Sequence, residues 1–191
     1  MKTSTHYEMN TKLALIFALA SGLAVGNLYW SQPLLARIAE SFGLAVSQGG
    51  LLITATQIGY ALGILLLVPL GDTLPCRPLL AVIMFLSVVT LLACALAPTF
   101  TLLFMALGCM GTVTVSGQLL LPLAGNLAKP EERGRIVGII SSGITTGILF
   151  SRLVSGLVAD LWGWRSIYFM AAALNLLMAF TLMRCVPDLP R

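Results

Sequence analysis

Charge is what this sequence has least of. Only 9% of its 191 residues are Asp, Glu, Lys or Arg, against about 25% in soluble domains, while 58% are hydrophobic. A water-soluble fold of this length has too little interior to hide that much apolar surface, so most of it must meet lipid or other lipid-facing helices. Histidine is nearly absent: His6, in the N-terminal tail, is the single copy. The four cysteines, Cys76, Cys94, Cys109 and Cys185, show no CxxC or Cys/His ligand spacing. A metal site or a disulfide framework is therefore not expected, and the cysteines read as small apolar fillers. The net charge of +4 contains no basic cluster, so a nucleic-acid partner is not expected either. Phosphate loops, catalytic triads and cofactor motifs are also missing, which points away from an enzyme and from any cofactor.

What is present is a series of long apolar runs: Leu13–Trp30, Gly49–Leu70, Leu79–Ala97, Leu102–Leu123, Ile136–Val158 and Ile167–Met183. Each is about long enough to cross a hydrocarbon core of about 30 Å as a helix. In hydrocarbon every backbone N–H and C=O needs an internal partner, so only helices or closed barrels span. The runs are continuous rather than alternating, which excludes barrel strands. The first run carries a small-x-small pattern at Ala18-Leu19-Ala20, but its apolar stretch is too long for a signal peptide and reads as an uncleaved helix.

Lys and Arg in the short loops set the orientation. With the N-terminus inside, the inner segments hold Lys2, Lys12, Arg77, Lys129, Arg133, Arg135, Arg184 and Arg191, and the outer loops hold Arg37 and Arg165. That asymmetry places both termini in the cytoplasm. Trp30, Trp162 and Trp164 fall at outer span ends, as interfacial anchors do.

The chain repeats at an offset of 88 to 89 residues. Pro33-Leu34 with Ile38-Ala39 recurs as Pro122-Leu123 with Leu127-Ala128, Asp72 with Arg77 recurs as Asp160 with Arg165, and Ala97-Pro98 recurs as Val186-Pro187. Each unit holds three spans, an odd number, so consecutive units insert upside down relative to each other, the arrangement of many secondary transporters. The expected organisation is a cytoplasmic tail over 1–12, a first repeat over 13–98, a second, inverted repeat over 99–187, and the start of a central cytoplasmic loop over 188–191.

Small residues mark helix–helix faces. Gly143, Gly147, Ser151 and Ser155 form an i, i+4 stripe on the fifth span. The third and sixth spans have no glycine and are expected on the outside, facing lipid. The fold expected is an all-α transmembrane bundle of six helices built from two inverted three-helix repeats.

At this point the sequence resembles the N-terminal half of a bacterial major facilitator superfamily transporter. The family's loop between helices 2 and 3 reads Gly-x-x-x-Asp-Arg-x-Gly-Arg-Arg. Here the region runs from Val68 to Arg77, with Asp72 and Arg77 matching and Val68, Thr73, Pro75 and Cys76 departing. The copy keeps the Gly-x-x-x-Asp opening from Gly156 to Asp160. Asn27 to Leu35 and Thr56 to Gly63 also resemble the helix 1 exit and helix 2 of some bacterial members. The resemblance implies alternating-access transport of a small solute across the cell inner membrane. It assigns Asp72 and Arg77 to a gating loop, although the same two residues also fit plain solvated loop charges.

Polar groups inside a membrane are costly without partners. Gln57 and Tyr60 share a face of the second span. Gln118 sits one turn before Pro122, which is expected to kink the fourth span, and reads either as a substrate contact or as an interhelical hydrogen bond. Asn27 and Gln32, at the first span's exit, fit interfacial structure or substrate contact. Asn175 is expected to bond a neighbouring helix. Arg152 is the one charge inside a span. It either binds an anionic group, pairs with a carboxylate in a second half, or snorkels to the outer interface. No Asp or Glu lies within any span, so an intramembrane carboxylate for proton coupling must come from elsewhere, or the mechanism is a uniporter's.

The partners expected are the bilayer, an unidentified solute, and either a second six-helix half or a second copy covering the small-residue faces of the second and fifth spans. The competing reading is a truncated, transport-inactive remnant or a fold-only membrane protein.

Overall fold

The computed structural model describes residues 9–186. Residues 1–8 and 187–191, with Lys2, His6, Arg191 and the expected start of the central loop, lie outside the described residues. The helices are α1 (Thr11–Asn27), α2 (Leu35–Ser41), α3 (Val46–Leu66), α4 (Leu70–Thr73), α5 (Cys76–Leu96), α6 (Phe100–Val113), α7 (Ser116–Leu127), α8 (Arg133–Trp162) and α9 (Trp164–Cys185). They make six spans in this order: α1; α3 with α4; α5; α6 with α7; α8; α9. Five of these are long and apolar enough to cross a membrane. The first, α1, has 17 residues and is about 25 Å long.

Local chemistry explains most boundaries. Asn10 caps α1 by accepting from the Leu13 amide at 2.8 Å, and Thr99 does the same for α6 through Leu102 at 3.3 Å, each satisfying a donor the helix leaves open. Between α8 and α9 the chain has one residue, Gly163, at φ 81°. That left-handed backbone is cheap for glycine, and it lets two spans follow each other with no loop.

The most extensive helix pairings are α1 with α8, α3 with α6, and α5 with α9. Exchanging the first and fourth, second and fifth, and third and sixth spans turns the first pairing into the second and the third into itself. The bundle therefore has the twofold form of two inverted triplets. Two apolar clusters fill it, one around Phe17, Leu80, Met84, Leu120 and Ile140, the other around Leu34, Ile38, Leu91, Leu107 and Ile167.

Several expectations change. The first helix stops at Asn27 rather than Trp30, and the chain then turns through a 3-10 segment, Gln32–Leu34, where Pro33 begins α2's approach. Trp30 and Trp164 are buried at 3% and 6% exposure, so they belong to the core; Trp162, at 71%, is the exposed one of the three. The fourth span is interrupted at Thr114–Val115, and Pro122 sits within α7. The interruption is tolerated in hydrocarbon because Ser87 of α5 donates to the Val113 carbonyl at 3.1 Å, replacing the bond a continuous helix would supply.

The small-residue faces are also used differently. A methyl on Gly147 would run into the Gly22 backbone, and one on Gly143 would lie 2.6 Å from the Ala18 carbonyl oxygen. Ser151 and Ser155 are fully buried on the same side. On the second span, Gly59 meets Gly108 and Gly63 meets Thr112. Gly143, Gly147, Gly59 and Gly63 are thus consumed inside the bundle, while Gly50 of α3 and Gly138 and Gly156 of α8 face open space. The surface left open is on the same two helices: 28% of the apolar stretch of α3 and 17% of that of α8 is buried, against 50% for α5. The third span is therefore less of an outside helix within this chain than its composition implies, because α5 and α9 cover each other.

Candidate functional site

The close approaches obey the repeat. Gly22 and Gly111 are 89 residues apart, Gly59 and Gly147 are 88 apart, and each is a position where a Cβ would meet the backbone of the facing helix. Backbones drawn this close bring the polar side chains of neighbouring helices within hydrogen-bonding reach.

Tyr60 on α3 and Gln118 on α7 meet in this way. The Gln118 Nε2 donates to the Tyr60 hydroxyl at 2.7 Å, and both side chains are half-buried. Two residues that the sequence singles out separately thus form one pair. Gln57, a turn earlier on α3, is exposed. The Tyr60–Gln118 pair leaves the Tyr60 O–H as a donor and the Gln118 amide carbonyl as an acceptor, with no charge.

Asn27 is placed in a buried polar knot. It is 2% exposed, its Oδ1 accepts from the Trp30 indole at 2.9 Å, and its Nδ2 donates to Asn175 Oδ1 at 3.3 Å. Asn175 also donates to the Ala171 carbonyl at 2.9 Å. The knot ties α1 to α9 and satisfies the indole N–H that burial of Trp30 would otherwise strand.

Arg152 leaves the bundle on the exposed side of α8, one residue beyond the packed Ser151. Its guanidinium donates to Gln32 Oε1 at 2.7 Å and lies 5.2 Å from the centre of the Tyr29 ring. Both partners belong to the exit from α1. Tyr29, within the Asn27–Leu35 segment, joins Arg152 because the turn after Asn27 brings it back toward α8.

At the opposite end, Asp72 is exposed on α4, and Arg77 opens α5. Arg77 donates to the Met183 carbonyl at the end of α9, at 2.7 Å. Its counterpart in the repeat, Arg165, opens α9 and donates to the Ala97 carbonyl just past α5, at 2.9 Å. Each arginine thus caps the C-terminal end of the other repeat's third helix, where open carbonyls and the helix dipole favour a cation. Arg165 also stacks on Trp164, 4.2 Å from its ring centre. Asp160, the counterpart of Asp72, ion-pairs with Arg37; more than half of each side chain is in contact with solvent, so this pair adds little stability. A groove between the start of α5 and the end of α9, bounded by Arg77, Leu80, Met84 and Leu182, holds none of the polar span residues.

The chain is 40% identical over 187 residues to the uncharacterized transporter YgaY of Escherichia coli O157:H7, covering 98% of this chain and 48% of that protein. Its fold matches the crystal structure of a bacterial homolog of the human lysosomal transporter Spinster, with a TM-score of 0.78 and 16% identity over 99% of this chain and 45% of that one. It also matches the human organic anion transporter MFSD10, with a TM-score of 0.70 and 18% identity over 95% of this chain and 49% of that one. The chain spans about half the length of the curated relatives it matches. It is a multi-pass membrane protein, and because the Major Facilitator Superfamily profile matches residues 16–191, the chain belongs to the Major Facilitator Superfamily.

Proposed function

We propose that these six helices form one half of a carrier that moves a small solute by alternating access rather than performing catalysis. In this reading the chain lies in the cell inner membrane with both termini cytoplasmic. The observation that carries it is the uneven burial of the spans. α3 and α8 are the least buried of the long helices, yet the close-packing positions Gly59, Gly63, Gly143 and Gly147 on them are already filled by α6 and α1. Their remaining apolar faces form the surface for a second six-helix half, or for a second copy of the chain.

The repeats divide at 13–98 and 99–187, a partition supported by the reciprocal arginine caps and the matched glycine contacts. The Tyr60–Gln118 pair, with Gln57 beside it on α3, is our candidate for neutral hydrogen bonding to the solute. Asn27 serves the same site indirectly, by holding the exit of α1. Asp72 and Arg77 act at the cytoplasmic end as the gating loop; the Arg77–Met183 contact gives that loop a fixed base.

Crosslinking in native membranes tests the arrangement. A cysteine replacing exposed Leu153 of α8 is expected to crosslink to a second six-helix half co-expressed from the C-terminal region of the similar Escherichia coli protein, or to a second copy. A chain that stays monomeric beside such a half, and shows no flux of any solute in proteoliposomes, overturns the proposal. Thiol labelling from each side of the membrane checks orientation: labelling of Cys76 and Cys185 is expected from the cytoplasmic side.

A further inference from the structure

Arg152 is the single charge within the six apolar runs, and no carboxylate lies within those runs. It sits about 9 Å inside the outer end of its span, counting from Val158. An arginine at such a depth is retained only with a partner or a purpose. Its two partners, Gln32 and Tyr29, orient the guanidinium through an amide oxygen at 2.7 Å and a ring face at 5.2 Å. Both are neutral. They hold the planar fork in place without neutralising it, and one hydrogen bond occupies only one of its five N–H donors. The helix-tying arginines Arg77 and Arg165 sit at helix starts and cap the open carbonyls at another helix's end, whereas Arg152 lies within α8 and reaches a side-chain amide. A guanidinium that simply snorkelled would need no oriented neighbours.

We propose that Arg152, held by Gln32 and Tyr29, is a recognition site for a carboxylate-bearing organic anion. The site rests on the carrier reading for its role and assigns the class of solute. The remaining N–H groups of the fork fit a carboxylate in bidentate fashion, and Tyr29 offers an apolar face to the carbon skeleton beside it. The polar Tyr60–Gln118 pair is uncharged, so among this chain's apolar runs Arg152 is the group that can match an anion's charge.

The test reads binding directly, without flux, so a failure of transport and a failure of this assignment are separable. The full chain, labelled with 15N-arginine and reconstituted in nanodiscs of zwitterionic lipid, is titrated with benzoate and, in parallel, with benzamide. A saturable shift of the Arg152 Nε–H resonance with benzoate, at a dissociation constant of roughly 1–10 mM, and none with benzamide is the expected result. R152K keeps the charge but loses the fork, and is expected to weaken benzoate binding on the order of tenfold. Q32E supplies an internal carboxylate and is expected to weaken it by at least as much, while the Arg152 resonance shifts in the absence of ligand. The proposal is overturned by no benzoate response up to ~50 mM, by equal responses to benzoate and benzamide, or by unchanged benzoate binding in Q32E.

Discussion

The seam between α1 and α8 offers a sharp test, because two glycines five positions apart on α8 meet opposite surroundings. A Cβ on Gly143 would lie 2.6 Å from the Ala18 carbonyl oxygen and 2.7 Å from the Ala18 Cβ. The first of these is about 0.8 Å short of the 3.4 Å at which ordinary contact begins, and the obstacle is backbone that no rotamer change can remove. Gly143→Ala therefore forces α1 and α8 apart along the stripe, with an expected loss of about 1–3 kcal/mol. A Cβ on Gly138 meets nothing within 4 Å. Gly138→Ala is expected to be neutral or to stabilise by up to about 1 kcal/mol, since alanine is the better helix former. Unfolding in mixed micelles titrated with denaturing detergent, followed by far-ultraviolet circular dichroism, measures both. The double variant G143A/G147A should cost less than the sum of its parts, because the first substitution already opens the seam for the second. If G143A is as stable as the parent chain, or G138A loses as much as G143A, the close approach of α1 and α8 is wrong.

Other outcomes follow from the polar contacts. Removing either member of the Tyr60–Gln118 pair, by Y60F or Q118L, is expected to cost about 0.6 kcal/mol, the average worth of an interhelical hydrogen bond in a membrane; a double-mutant cycle that shows no coupling refutes the contact. Asn175→Leu breaks the buried knot and strands the Asn27 amide, with an expected loss of about 1–3 kcal/mol, read in the same unfolding assay together with Trp30 emission. Arg165→Ala uncovers the Ala97 carbonyl and should speed hydrogen exchange in the first turn of α9. Arg77→Ala should do the same in the first turn of α5, because each arginine anchors its own helix start to the other helix's end. Loss of protection confined to one of the two helix starts in both variants argues against reciprocal capping.

The legible part of the candidate site was its list of residues. Gln118, Tyr60, Asn27 and Arg152 stand out in any reading because polar groups are conspicuous in apolar runs. Their pairing was not legible: Asn27 and Asn175 are 148 positions apart, and Tyr60 and Gln118 are 58 apart. The break at Thr114–Val115 was hidden for a related reason. Proline advertises a kink at Pro122, but the hydroxyl that makes a break tolerable belongs to Ser87, on another span.

Length and apolarity by themselves determined that this chain lives in lipid and crosses it as six helices, and the repeat at 88 to 89 residues arranged those helices in two inverted triplets. These are one-dimensional properties: the bilayer sets how long a run must be, and every backbone group must close its bonds within the run. The stripe Gly143, Gly147, Ser151, Ser155 likewise announced that α8 packs closely against something. Only the tertiary structure decided that the something is α1, inside the same bundle. In lipid, helix association comes from how closely two particular backbones fit rather than from apolarity, which every face shares, so a partner's identity is a property of two surfaces and is written in neither one alone.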